Sequence, residues 1–307
     1  MSEGEQFEDL RPAAFAIAYR MLGSVSEAED VVQEAFLRLH RASQAGEQIE
    51  SPRAYLATVV TRLGIDQLRS ARARRESYVG EWLPEPVVTS PDEDPARQAE
   101  MADSLSLAFL VLLESLSPEQ RAVFLLREVF DYPYDEIAGI VGKSEDNVRQ
   151  LAVRARRHVD ERRSRFEASR EQRDALAGRF LSAARDGNLE ALESMLAEDV
   201  VLHGDGGGKV PALARPVHGR ARVARTLLAW MKAGLRIGGV ELRPVEVNGQ
   251  PGAMGLDRDG NLINVMAIDI ADGQVQAVRS IVNPDKLQHL GPVADTRDLM
   301  RRARNAD

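Results

Sequence analysis

Residues 132–158 read YPYDEIAGIVGKSEDNVRQLAVRARRH, and the organisation of the chain follows from them. Pro133, with Asp135 and Glu136 behind it, suits a helix start. Ile137, Ala138 and Val141 recur at helical spacing. Gly142 and Lys143 break that pattern, and Ser144 is an N-cap followed at once by acidic Glu145 and Asp146. The second helix would bury Val148, Leu151, Ala152 and Ala155. Its other faces carry Asn147, Arg149, Gln150, Arg154, Arg156 and Arg157. Two short helices at a tight glycine turn, the second polar and basic outside, describe a helix-turn-helix. Asn, Gln and Arg can make bidentate contacts to base edges in a major groove, and further Arg can neutralise phosphates. An ordinary helical hairpin with a solvated basic face would share the pattern.

The rest of the chain sets the bounds. Its 307 residues suggest two or three domains. Hydrophobic residues at 44% and charged residues at 29% are those of a soluble globular protein. The absence of cysteine excludes disulfides and thiolate metal sites, and the five histidines are dispersed, so neither metal nor cofactor is expected. The opening MSEGEQFEDL lacks a signal region, and the apolar run Leu107–Leu113 is too short for a bilayer. A cytoplasmic protein without a membrane partner is expected.

A net charge of −8 argues against a nucleic-acid binder until it is resolved along the chain. Arg53 to Arg75 holds six Arg against one Asp, a local +5. Lys143 to Arg170 holds nine basic and five acidic residues, a local +4. Between them, Glu81 to Glu119 holds nine acidic residues and one Arg, a local −8. Local fields of this kind attract phosphate whatever the global sum.

Residues 5–75 read as a helical bundle. Phe7, Leu10, Phe15, Ala18, Tyr19 and Leu22 supply an opening helix ended by Gly23. Ser26-Glu27-Ala28-Glu29 has the form of a capping box for the next. Val31, Val32, Ala35, Phe36 and Leu39 form its buried stripe. Ser51-Pro52 opens a third helix whose C-terminal half is densely basic, with Arg62, Arg69, Arg72, Arg74 and Arg75. Residues 76–99 are acidic and proline-rich, an extended linker, yet Trp82-Leu83, with Pro84 and Pro86 behind it, reads as a preorganised docking segment. Ser117-Pro118 opens a helix of the second domain.

After Arg165 the pattern changes. Phe180–Ala184, Leu189–Leu196 and Ala221–Met231 suit helices. Val240–Val247, Ala253–Leu256, Leu262–Ile270 and Gln274–Val282 alternate like strands joined by Asn248-Gly249, Asp259-Gly260 and Asp272-Gly273 turns. Val200–Leu202 leads into a loop, His203 to Lys209. An α+β domain with an antiparallel meander is expected.

The segments AEDVVQEAFLRLHRA, SPRAYLATVVTRLGIDQLRSARARR and LSPEQRAVFLLREVFDYPYDEIAGIVGKSEDNVRQLAVRARR together resemble the two domains of bacterial extracytoplasmic-function sigma factors. The C-terminal part resembles the SnoaL-like branch of the NTF2-like fold, a cone whose mouth often holds a small molecule. WLPEP (Trp82, Leu83, Pro84, Glu85, Pro86), DGGGK (Asp205, Gly206, Gly207, Gly208, Lys209) and NPDKL (Asn283, Pro284, Asp285, Lys286, Leu287) resemble the signatures of the sigma-factor group with this domain fused. The fold implied is two all-α sigma domains, a helical bundle and a helix-turn-helix, followed by an α+β NTF2-like cone. The corresponding limits are 1–76 for the first domain, 77–100 for the linker, 101–168 for the second and 169–307 for the cone.

What the resemblance implies is transcription initiation with RNA polymerase core and promoter DNA as partners. Asp30, Gln33, Glu34 and Arg38 would bind the large catalytic polymerase subunit. Arg62, Asp66, Arg69, Arg72 and Arg75 would contact the −10 element; the family often has Arg-Asn where this chain has Arg62-Leu63. Ser144, Asn147, Arg149, Gln150 and Arg154 would face the −35 element. The three signature motifs would make regulatory contacts, the fused domain packing on the sigma domains and linker in place of a separate anti-sigma protein, with an unidentified small molecule as a further ligand. Two other readings compete. One is a DNA-tethered enzyme using His203, Asp205, His218 or Asp269 as acid–base groups; the other is a ligand-responsive helix-turn-helix repressor. The resemblance favours a protein that is not an enzyme.

Overall fold

The computed structural model describes residues 9–89, 104–161, 169–236 and 238–295, with Leu299 and Arg301; the side chains of residues 71–76 lie outside that description. Two compact units result. One comprises residues 1–77 and 109–163, the other residues 78–108 and 164–307.

The first unit opens with three helices, α1 (Arg11–Leu22), α2 (Val25–Gln44) and α3 (Pro52–Glu76). Gly23 ends α1 in the left-handed region at φ 66°, its N–H on the Tyr19 carbonyl. Ser24 follows in extended conformation and caps α2 by accepting from the Glu27 N–H. The cap is therefore Ser24 and not Ser26 as the sequence suggests, because the chain leaves the glycine already extended. Ala18, Leu22, Val32, Ala35, Leu39, Leu56 and Val60 close the bundle core. Gly64 of α3 lies against Met21, whose Cβ would stand at an ordinary contact distance of 3.4 Å from an added methyl. Phe7 lies outside the described residues.

The same unit resumes at Phe109 within α4 (Leu107–Leu113) and continues through α5 (Pro118–Phe124) into a π-helical turn (Leu125–Val129). Ser117 and Gln120 form a full capping box with Pro118 at the first helical position. The helix-turn-helix follows as expected: α6 (Tyr134–Val141), Gly142 at φ 66°, the Ser144 cap, and α7 (Glu145–Asp160). Val123, Leu126, Ile137, Ile140, Val148 and Ala152 form its core. Leu151, expected to be buried, is only half-buried against that core. Arg121, fully buried, crosses to α1 and donates Nε and Nη2 to the Arg20 carbonyl at 3.1 and 3.0 Å.

The second unit is α+β. Helices α8 (Arg170–Arg185), α9 (Leu189–Met195) and α10 (Arg220–Arg236) cover one face of a seven-stranded sheet. Its strands are β1 (Val88–Thr89), β2 (Leu196–Asp205), β3 (Val217–His218), β4 (Glu241–Val247), β5 (Gln250–Leu256), β6 (Leu262–Ala271) and β7 (Gln274–Ile281). Their order is β1-β4-β5-β6-β7-β2-β3, antiparallel except where β2 runs parallel to β7. Val200, Leu202, Ala253, Ile268, Ile270 and Val278 meet Phe180, Leu192 and Val223 in the apolar core. Asn248 at φ 53° with Gly249, and Asp272 at φ 51° with Gly273, make the expected turns. One expectation fails: His203, Gly204 and Asp205 extend β2 rather than starting a loop. Register with Arg279, Ser280 and Ile281 of β7 holds them in the sheet. Edge strand β1 comes from the acidic linker, Val88 pairing with Val247.

Candidate nucleic-acid interface and linker clasp

Helix α7 presents the residues expected to face DNA. Ser144, Asn147, Arg149, Gln150 and Arg154 are all exposed, while Val148, Ala152 and Ala155 anchor the opposite side. The Arg149 guanidinium stands 4.5 Å from the Tyr134 ring centroid and pairs with Glu145, so it is positioned before any ligand arrives. Val153, two-thirds exposed, lies between these polar groups. An apolar side chain there can meet a thymine methyl.

On α2, Asp30, Gln33 and Arg38 are exposed and Glu34 is half-buried, with Arg38 Nε 2.8 Å from Glu34. Leu37, 43% exposed, sits among them.

Arg62 and Arg69 of α3 are engaged within their own unit. Arg62 donates Nε to the Ile140 carbonyl at 2.8 Å and Nη2 to the Gly139 carbonyl at 2.9 Å, completing carbonyls at the C-terminal end of α6. Arg69 bonds Glu119 at 2.6 Å and Asp66 at 3.2 Å. That pairing holds the Glu119 carboxyl below its ordinary range, the Arg69 hydrogen bond outweighing burial. The Arg72 and Arg75 side chains lie outside the described residues.

The three signature motifs converge in the second unit. Asp205, with no exposed surface, accepts from the Tyr78 hydroxyl at 2.5 Å and the Gly207 N–H at 3.1 Å through Oδ1. Its Oδ2 accepts from the Leu83 N–H at 2.8 Å and Lys286 Nζ at 2.6 Å. Lys286 also donates to the Leu83 carbonyl and lies 4.4 Å from the Trp82 ring centroid and 4.9 Å from that of Tyr78. Asn283 Nδ2 donates to the Tyr78 hydroxyl at 2.8 Å, and Lys209 pairs with Asp285. Leu83, Pro84, Glu85 and Pro86 are buried and Trp82 is half-buried. Burial and the Asp205 hydrogen bond push the Tyr78 phenol far above its ordinary value.

The glycines of DGGGK are explained by closeness. A Cβ on Gly207, at φ 59°, would stand 2.3 Å from Asn283 Nδ2 and 3.1 Å from the Tyr78 hydroxyl. One on Gly208, at φ 68°, would meet Val79 at 2.9 Å. DGGGK is thus a backbone surface onto which the linker fits.

Further contacts carried no signal of their own in the sequence. His203 Nδ1 lies 2.7 Å from Glu81, and His289 bonds the Pro86 carbonyl at 2.8 Å. Asn248 Oδ1 accepts from the Val87 N–H at 2.8 Å while Nδ2 donates to the Leu105 carbonyl at 2.9 Å. Tyr78 lies in the linker without a motif of its own and Asn248 reads as a turn residue; only the folded sheet brings Asp205 and Asn283 to the one and the linker to the other.

Three of the acid–base candidates, His203, Asp205 and Asp269, lie on one sheet face, each with a partner of its own, and His218 lies apart on β3. Asp205 serves the linker, His203 faces Glu81, Asp269 pairs with the buried Arg279, and His218 is exposed on β3. His203, Asp205 and Asp269 alternate with the core residues Leu202, Ile268 and Ile270 and lie on the sheet face away from the helices. Burial lowers Arg279 to about 10. No helix among the described residues is long and apolar enough to cross a membrane.

Comparison with known proteins agrees with this geometry. Residues 6–74 match Sigma-70 region 2 and residues 106–159 match Sigma-70 region 4. The chain is 40% identical over 293 residues to the ECF RNA polymerase sigma factor SigJ of Mycobacterium tuberculosis, covering 92% of this chain and 93% of that one. It is 33% identical over 277 residues to the probable ECF sigma factor SigI of the same organism, covering 89% and 91%. The crystal structure of M. tuberculosis SigJ superposes with a TM-score of 0.73 at 38% identity, covering 93% of this chain and 98% of that one. The chain therefore belongs to the extracytoplasmic-function sigma factors, which direct RNA polymerase to promoters, in the group that carries a fused SnoaL-like α+β domain behind its two helical domains.

Proposed function

We propose that the α+β domain modulates promoter use by gripping the linker between the two promoter-reading domains. The buried Asp205 carboxylate, which takes hydrogen bonds from Tyr78 and Leu83 of that linker, carries the reading. A residue holding four donors out of water is an expensive arrangement for a passive connection. In this reading Asp30, Gln33, Glu34 and Arg38 dock on core polymerase. Ser144, Asn147, Arg149, Gln150 and Arg154 read the −35 element. The basic half of α3, with Arg62, Asp66, Arg69, Arg72 and Arg75, meets the −10 element after its present partners are exchanged for DNA.

Run-off transcription with core polymerase tests the modulation. Asp205→Asn and Lys286→Met should change output from a promoter selected with the intact holoenzyme. A coupling of ~1–3 kcal/mol corresponds to about 5- to 150-fold, and the direction gives the sign of the regulation. Equal output from all three proteins would refute modulation through the linker and leave a sigma factor whose fused domain acts otherwise.

A further inference from the structure

The second unit carries a block of charge that neither its core nor the linker clasp accounts for. Between Asp205 and Glu241 stand seven Lys and Arg with no Asp or Glu, a local +7 that exceeds the +5 and +4 blocks of the helical domains. Two of the seven have structural tasks: Lys209 pairs with Asp285, and Arg220 donates Nε to the Leu196 carbonyl at 2.8 Å. Of the other five, Arg222, Arg225, Lys232 and Arg236 are exposed on α10. Their steps of three, seven and four residues, with Ala229 in the gap, align them on one stripe of the helix. Val223, Ala224, Leu227 and Gly234 face the core instead. At about 1.5 Å per residue the stripe runs roughly 21 Å.

Ordinary helix physics opposes this arrangement. The first turn of α10 has no acidic residue, and the positive end of the helix dipole repels Arg222 there. Arg222 and Arg225 repel each other three residues apart, as do Lys232 and Arg236 four apart. No ion pair with a described residue relieves Arg222, Arg225 or Lys232. On α8, by contrast, Arg170 meets Glu246, Arg173 meets Gln250 and Arg185 meets Asp186. A face that only kept the domain in solution would mix its signs. Cations gathered on one face, at a cost to the helix that bears them, point to a polyanion outside the domain.

The chemistry of the stripe selects duplex DNA. It has no aromatic ring on which single-stranded bases could stack, and no Asn or Gln to read adenine edges. Exposed Ala221, Ala229 and Ala233 between the cations let a sugar–phosphate backbone come close. The apolar side of α10, with Val223, Ala224 and Leu227, is committed to the domain core rather than to a lipid surface. Duplex is also at hand, because the domain is covalently joined to a sigma factor's promoter-directing domains and so shares their local concentration of DNA.

We infer that Arg222, Arg225 and Lys232, continued by Arg236, form a further DNA-binding surface, which neutralises phosphates of the duplex flanking the promoter elements whatever its sequence. The inference concerns affinity for DNA and stands apart from the action of the linker.

The test titrates holoenzyme, made from core polymerase and the full chain, onto a selected promoter fragment with flanking duplex on both sides. Each phosphate contact adds about 0.9 to the slope of log affinity against log salt. The triple variant Arg222→Gln, Arg225→Gln, Lys232→Gln should lower that slope by about 2.7, so that between about 50 and 200 mM salt the parent loses about 40-fold more affinity than the variant. The difference should survive scrambling of the flanks and shrink when they are trimmed away. A slope within about 0.5 of the parent's would overturn the inference. Arg179→Gln, Arg185→Gln, Arg258→Gln removes the same charge from exposed positions off α10. That control should keep the parent's slope, and an equal drop would reduce the effect to net charge and overturn the inference. Weaker binding of the stripe variant to core polymerase without DNA would assign the surface to the polymerase and overturn it as well. Gln is a good helix former and its introduction removes the repulsions along α10, so the variant's Tm should equal or exceed the parent's. A lower Tm would identify the cations as structural.

Discussion

Replacing Asp205 with Asn removes one charge and no volume, and the structure sets the size of the effect. Oδ1 accepts from Tyr78 and Gly207, Oδ2 from Leu83 and Lys286. A carboxamide has one acceptor oxygen, so either pair of donors must face its NH2 group. The Lys286 side chain is only 8% exposed and loses its counter-charge. Breaking a buried pair in this way typically costs ~3–5 kcal/mol. Deprotonating Lys286 at pH 7 instead would cost about 4.6 kcal/mol, which caps the loss. If about 3 kcal/mol of it falls on linker docking, the Leu83 amide should exchange its hydrogen about 150-fold faster at pH 7. Hydrogen exchange of the full chain, resolved at residues 78–89, measures it. The Ile268 and Val278 amides in the sheet should slow or quicken little. Leu83 exchange within about threefold of the parent would refute the assignment of Asp205 as the linker's main anchor.

Three further outcomes follow from the same contacts. Tyr78 has its folded pKa raised above the unfolded value of 10, so its stabilising effect is full below pH 10 and is lost as pH rises through the folded value; an alkaline unfolding series should lose this dependence in Tyr78→Phe. Gly207→Ala should release the linker as Asp205→Asn does, because its Cβ would stand 2.3 Å from Asn283 at a φ of 59°, and exchange at Leu83 would report it. Gln150→Ala or Val153→Ala should each relax −35 base preference by ~1–3 kcal/mol in competition binding by the holoenzyme, whereas a uniform loss over all sequences would identify phosphate contacts instead.

The helical half was legible because its signals are local. Pro133, Gly142 and Ser144 punctuate the helix-turn-helix within a dozen residues, and each does in the structure what its chemistry requires. The sheet was nearly as plain, since three X-Gly turns separate alternating strands. What stayed hidden is what depends on distant partners. Arg62 reads as a phosphate ligand, yet here it completes the end of a helix 78 residues away in sequence. Asp205 reads as a loop carboxylate, and only its parallel register with Ile281 places it under the linker. Asn248 reads as a turn former and serves as one, while its carboxamide holds segments 161 and 143 residues distant. A periodic pattern reports which face of an element is apolar; it carries no record of what lands on the other face.

The pairing of Val88 and Thr89 with β4 has a consequence for the protein's solution behaviour. A sheet ends in a row of unpaired amides and carbonyls, and such a margin recruits strands from other molecules unless something covers it. In this fold the short β3 closes one margin and the linker closes the other. Thr89 reinforces that cover through Glu246, which Arg170 holds from the other side at 2.5 Å. Lifting the linker would therefore uncover the β4 margin. An uncovered margin of that kind invites strand exchange between neighbouring chains, so this pairing guards the sheet's edge as well as seating the linker.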